Sequence, residues 1–174
     1  LNQAVRGGWE IASLLYSFET PLSRWAQGML DTVKTQQNYE LTDALMADLS
    51  GKSDVSELMA VIRMRPDDPS RLRLSENPVL ALFDRPSNRG NLGTLIRSCD
   101  ALGVEALVLT GHGVDLYDPD VVVSSMGSFF KVPVLRMASH EEVEGWIASL
   151  KGRYPSLQVL GTTSHTQREL FRYD

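Results

Sequence analysis

The sequence predicts an α/β chain in two parts: a small α+β domain over residues 1–65, then a parallel-sheet domain over residues 78–174 that is incomplete at its C-terminus. Three observations carry that expectation. Apolar runs at Val79–Phe83, Ala106–Thr110, Val132–Leu135 and Leu157–Leu160 recur roughly every 26 residues with helix signals between them, the rhythm of parallel βαβ units. The stretch Arg63-Met64-Arg65-Pro66-Asp67-Asp68-Pro69-Ser70 is polar and twice broken by proline, so residues 66–77 read as a linker. The residues before it lack the βα rhythm.

In the first part, Leu22, Trp25, Ala26, Met29, Leu30 and Val33 fall on one face at helical spacing and predict an amphipathic helix. Thr42 is placed to cap a short helix that reaches Leu49, and Leu58–Ile62 reads as a strand. In the second part the four apolar runs are strands expected to be buried on both faces. Leu92, Leu95, Ile96, Cys99 and Leu102 make the stripe of its first helix, and Asp118–Ser128 is a second helical segment. Ser139-x-x-Glu142 is a capping box that opens a third. Gly161–Asp174 follows the fourth run without a clear helix or strand, while doubly wound sheets usually have about five strands or more. Roughly 80–90 further residues would complete the domain. The chain opens on Leu1 and not on methionine, as a processed or trimmed start would.

Composition narrows the function classes. With 174 residues, 43% hydrophobic and 22% charged, the chain is neither disordered nor a membrane span, and it shows no secretory leader. A single cysteine, Cys99, on the apolar stripe reads as a small buried hydrophobe and suits a reducing cytoplasm. His112, His140 and His165 lie far apart, so no metal site is expected. The net charge of −5 would by itself favour a small-molecule enzyme on a plain doubly wound sheet. RNA binding would need a local patch and a shaped pocket rather than a general field.

The informative stretch runs from Asp84 to Gly103. It follows a strand and opens a helix, where α/β folds place ligands, and Gly90 and Gly93 would let a ligand approach the backbone. Its glycine spacing is neither the dinucleotide fingerprint nor a phosphate-binding P-loop. Arg97 lies away from the Leu92/Ile96/Cys99 stripe and need not be buried; on residue type alone it would be a surface arginine pairing with Asp100.

The pattern Asn88-x-Gly90-Asn91-Leu92-Gly93-x-x-x-Arg97-x-x-Asp100-Ala101-Leu102-Gly103 closely resembles the first signature of the SpoU, or TrmH-like, RNA methyltransferases. Asp115-x-Tyr117-Asp118-Pro119 and the following Ser124–Val134 segment are similar to a second conserved segment of that family. The first 65 residues resemble the ribosomal-protein-like RNA-binding domain that precedes the catalytic domain in many members, through Leu45-Met46-x-x-Leu49-Ser50 and Ser56–Val61. Two further family signatures, a Gly-x-Glu-x-x-Gly loop and a Ser-x-Asn-x-Ser helix start, are not in this sequence.

The resemblance implies a SPOUT-type domain with a trefoil knot, the knot region lying outside residues 78–174, and transfer of a methyl group from S-adenosylmethionine to a ribose 2′-hydroxyl of RNA. Ribosomal RNA is favoured, with tRNA 2′-O-methylation or an RNA-binding fragment without catalytic competence as alternatives. It implies a cytoplasmic homodimer. Arg97 is placed beside the target ribose, as a clamp on the RNA phosphate that also relieves charge on the attacking oxygen. Asn91 would orient Arg97 or the ribose, or else cap the helix. Asn88, Arg89, Ser125 and Arg63 are expected RNA contacts, with Arg6, Lys34, Lys52 and Arg65 as weaker ones. Gly161, Thr162 and Thr163, beyond the fourth apolar run, are expected to touch the cofactor's adenosine.

Overall fold

The computed structural model describes residues 1–51, 55–163, 165 and 169. The first part contains α1 (Asn2–Arg6), β1 (Ile11–Ser17), α2 (Arg24–Thr32), β2 (Tyr39–Leu41), α3 (Asp43–Ser50) and β3 (Leu58–Ile62). The second contains β4 (Leu80–Asp84), α4 (Arg89–Leu102), β5 (Ala106–Thr110), α5 (Pro119–Ser124), β6 (Val134–Met137) and α6 (His140–Arg153).

The first sheet has the order β2-β1-β3, with β1 parallel to β2 and antiparallel to β3. Its central strand carries no clean alternation, because Ile11, Ser13, Leu14 and Ser17 are buried on both sides of a register shift between Ile11 and Ser13. Ala4 of α1 and Ala26 and Met29 of α2 close the core over Ile11, Leu14 and Leu58. Ser23 begins α2 by accepting from the Ala26 amide, so the helix is shorter than its apolar stripe; Leu22 and Val33 flank it and pack on the same core. Trp25 leaves the stripe: its indole N–H donates to Asn2 Oδ1 at the rim and the ring is 45% exposed. Thr42 caps α3 through the Leu45 amide, as expected.

The second sheet is parallel throughout, in the order β4-β5-β6. α4 and α5 cover one face, burying Leu92, Ile96 and Val121 against Leu107 and Leu109. α6 covers the other, with Val143 on Val108, Leu135 and Met137. Burial along the whole strand holds for β5 alone, because only a central strand has neighbours on both sides; on β4, Leu82 is 48% exposed. Ser139 caps α6 through the Glu142 amide, while the Glu142 carboxylate accepts from Ala138 rather than closing the box on Ser139.

The expected fourth strand, Leu157–Leu160, does not form. Leu157 donates its amide to Tyr154 O in a turn, and Val159 and Leu160 lie exposed. Four apolar residues become a strand only against a partner ladder, and the described residues offer none there. No described helix is long and apolar enough to cross a membrane.

The two parts meet along an aromatic seam. The Trp9 indole N–H donates to Phe130 O over 2.9 Å, and its ring meets Phe129 and Phe130 at centroid distances of 5.6 and 5.4 Å. The Arg65 guanidinium sits 4.3 Å over the Trp9 ring and donates to Gly7 O, while Tyr117 Oη donates to Arg65 O. A Cβ on Gly7 would come within 2.5 Å of Phe130 O, so only glycine permits this approach. The linker is drawn into the contact: Arg136 clamps Asp67 through Nε and Nη2, and Arg71 donates to Val134 O. A 3-10 turn, Pro69–Arg71, interrupts the expected linker.

Candidate active site

The stretch singled out in the sequence forms the carboxyl end of β4, a turn, and α4. Asn88 begins the helix, its Oδ1 accepting from the Asn91 amide at 2.8 Å. Asn88 is thus the N-cap of α4, and Asn91 is not a cap. Asn91 is exposed three residues into the helix. At about 100° per residue it lies roughly 120° around α4 from Arg97, too far round for a direct hydrogen bond, so it does not brace that guanidinium.

Gly93 is tight for a different reason from ligand approach. A Cβ there would come within 2.6 Å of Val121 O and 2.9 Å of Ser124 Cβ, so glycine lets α5 press against α4. The packed face is Leu92, Gly93, Ile96 and Cys99, all buried. Burial also raises the Cys99 thiol pKa. Arg89 joins the starts of the two helices by an ion pair of 2.7 Å to Asp118, itself the cap of α5. The Arg89 side chain is nonetheless 57% exposed.

Arg97 is exposed, and no hydrogen bond or ion pair engages it among the described residues. Its expected partner is taken: Asp100 accepts from Ser128 Oγ at 2.7 Å and from Lys131 Nζ at 3.0 Å. These contacts, the Ser128 hydrogen bond first, hold the Asp100 carboxyl below the usual carboxylate range. Arg97 follows Gly93 by one turn and Gly90 by two, along the same side of α4. Gly90, with Ser87, Asn88, Arg89, Asp120 and Ser124, lines an open groove of about 600 Å³ between α4 and α5. Of the sequence-predicted residues, Asn88 and Arg89 line this groove, and Arg97 lies about two turns past Gly90 on the same side of α4.

The other expected contacts lie elsewhere. Ser125 is fully buried, its hydroxyl donating to Val122 O and accepting from the Phe129 amide, so it packs the core instead of meeting RNA. Arg63 pairs with Glu10 at 2.9 Å on the first domain, and Arg65 is spent on the seam. Arg6 and Lys34 are exposed, and Lys52 lies outside the described residues. Gly161, Thr162 and Thr163 are exposed coil, and a Cβ on Gly161 would meet nothing within 4 Å.

The carboxyl edge also holds a contact that no motif announces. Asp84, the last residue of β4, accepts from Thr110 Oγ1 at 2.7 Å and from Arg85 at 2.9 Å. The Thr110 hydrogen bond, then Arg85, lowers its pKa. Arg85 adopts φ 44°, uncommon for a non-glycine residue, and Gly111 leaves room for its side chain. Neither Asp84 nor Thr110 has a spacing that could reveal this pairing in the sequence.

Both parts of the chain are similar to known proteins. Residues 78–174 match the model of the SpoU rRNA methylase family, and residues 1–60 match the SpoU L30e-like domain. The chain is 39% identical to a 23S rRNA (uridine(2479)-2′-O)-methyltransferase of Streptomyces viridochromogenes, over all of this chain and 61% of that protein. Among solved structures it resembles the SpoU methyltransferase AviRb from the same organism, at 37% identity and a TM-score of 0.87, covering 99% of this chain and 64% of AviRb. The AviRb complex with its cofactor AdoMet aligns at 38% identity and a TM-score of 0.80, over 87% of this chain and 57% of that one. The chain thus spans under two thirds of the length of these relatives. On the match across its whole second domain, it belongs to the SpoU rRNA methylase family.

Proposed function

We propose that the protein transfers a methyl group from S-adenosylmethionine to a ribose 2′-hydroxyl of RNA, ribosomal in preference to transfer RNA, and works as a homodimer. The observation that carries this reading is Arg97: an exposed guanidinium without an internal partner, in line with the α4–α5 groove and within the family signature. S-adenosylmethionine, when bound, supplies an activated methyl group. Gly161, Thr162 and Thr163 would hold its adenosine, and Arg97 with Arg89 acts on the acceptor side of the reaction.

A ribose hydroxyl is a poor nucleophile and must be aligned and relieved of charge as it attacks. Alignment alone is worth roughly 7–11 kcal/mol. Arg97 suits that task as a fixed cation: its fork can hold the RNA phosphate next to the acceptor ribose and offset negative charge growing on the oxygen. Its guanidinium carries donors only and has no acceptor site, so the hydroxyl proton leaves to water and not to Arg97. Arg89, partly exposed beside the same groove, can share the phosphate.

Transfer of label from S-adenosylmethionine into RNA, with primer-extension mapping of 2′-O-methylation in a deletion strain, tests the reading. Loss of a mark in ribosomal RNA supports it; loss confined to tRNA defeats the ribosomal preference. A second reading, an RNA-binding stretch without a competent cofactor pocket, is favoured by the open coil at Gly161–Thr163. Micromolar S-adenosylmethionine binding by residues 1–174, measured by calorimetry, would overturn it.

A further inference from the structure

The seam between the two parts does more than bury apolar surface. A free linker of a dozen residues would let the domains wander by roughly 20 Å. Here residues 66–77 are not free: Asp67 is held by Arg136, and Arg71 reaches Val134 O. Trp9 donates to Phe130 O at 2.9 Å beneath the Arg65 guanidinium, and Gly7 admits Phe130 O at a distance any Cβ would forbid. These bonds are directional, and they come from α1–β1, the linker and the turn before β6. Together they fix both distance and angle between the domains.

From this we infer that Trp9, with Arg65 and Phe130, is a specificity-determining positioning element, which holds the first domain at one offset from Arg97 so that an RNA gripped by both parts presents a single nucleotide to the groove. The inference rests on the functional reading above. Its physical basis is the steep dependence of transfer on placement: a displacement of about 1 Å can cost about 100-fold. A ruler built from an indole hydrogen bond and a stacked guanidinium is stiff on that scale. Trp9 touches neither donor nor acceptor, so its effect runs through geometry alone.

Two measurements on the full natural chain test this. The first does not depend on activity. Spin labels on Leu45→Cys in α3 and Lys151→Cys in α6, both exposed, report the interdomain distance, and Cys99 is too buried to label. We expect one narrow distribution in the parent, a broad one in Trp9→Ala, and one of intermediate width in Trp9→Phe, which keeps an aromatic ring but loses the hydrogen bond. A broad distribution in the parent overturns the proposal.

The second maps methylation at each nucleotide of a long ribosomal RNA fragment. The ratio of the main mark to its neighbours should fall about tenfold or more in Trp9→Ala and recover substantially in Trp9→Phe. Loss of stability alone would lower every mark together and leave the ratio intact. Equal ratios in parent and Trp9→Ala sink the proposal while leaving the enzyme reading standing. A parent that marks no RNA sinks that reading, and this proposal with it.

Discussion

The seam and the groove treat the same residue type in opposite ways. At the seam Arg65, Arg71 and Arg136 are all engaged, by a ring, a carbonyl and a carboxylate respectively. Burial, then the nearby Arg71, depresses the Arg65 pKa, whereas the hydrogen bond to Asp67 raises that of Arg136. Beside the groove Arg97 has no such partner among the described residues. A guanidinium engaged by the fold adds stability or orientation, and its partners hold it in place, away from a ligand. One that the fold leaves open costs little to keep and can be claimed by RNA. The acidic total charge makes the distinction matter, since only the unclaimed cations can attract a polyanion.

The sharpest way to break this comparison is to exchange the two kinds of arginine for alanine. Arg97→Ala should lower methyl transfer by about 100- to 1,000-fold, with an unchanged melting temperature. Arg136→Ala should do the reverse, costing about 1 kcal/mol or less because its ion pair is solvent-screened and leaving turnover at the main nucleotide largely intact. If Arg97→Ala melts early and stays active, the contrast is wrong. Next in size is Gly93→Ala, which should cost about 2 kcal/mol by wedging α5 off α4, read as a shift in urea midpoint; a gain in stability would show that the helices part freely. Asn88→Ala removes the cap of α4 and should cost about 1 kcal/mol, whereas Asn91→Ala should leave stability unchanged.

The smallest effect is confined to acid. The folded-state pKa of Asp100 is lowered, so its contribution is fully present above the ordinary carboxylate value of about 3.9 and is lost as pH falls through the lower folded value. Asp100→Asn should therefore flatten the stability profile below about pH 4 while changing its slope little near neutrality. Urea midpoints collected across that range decide it.

Much of the fold was legible from the residues. The βα rhythm located β4, β5 and β6 because parallel strands are apolar runs of their own, and α4 followed from a stripe that left Arg97 outside it. Interactions across long sequence separation were not legible. β1 gave no alternation because both its faces are covered. Leu157–Leu160 looked like the other runs, yet a strand is defined by its neighbour. Choosing Asn88 over Asn91 as the cap required knowing where the helix begins, and Ser125 looked available because sequence does not show how deep a hydroxyl sits. The Trp9 seam joins residues 121 positions apart, and no local pattern foretells it.

The turn that receives Trp9 has a second attachment. Phe130 closes the turn Ser128–Phe130, and the hydroxyl at the turn's other end is bonded to Asp100, about one helical turn beyond Arg97. The first domain and the helix that carries Arg97 are thus mounted on a common bracket of 3 residues. Strain applied at one mounting reaches the other without crossing solvent, and linkage would make any influence of one ligand on the other's affinity mutual and equal.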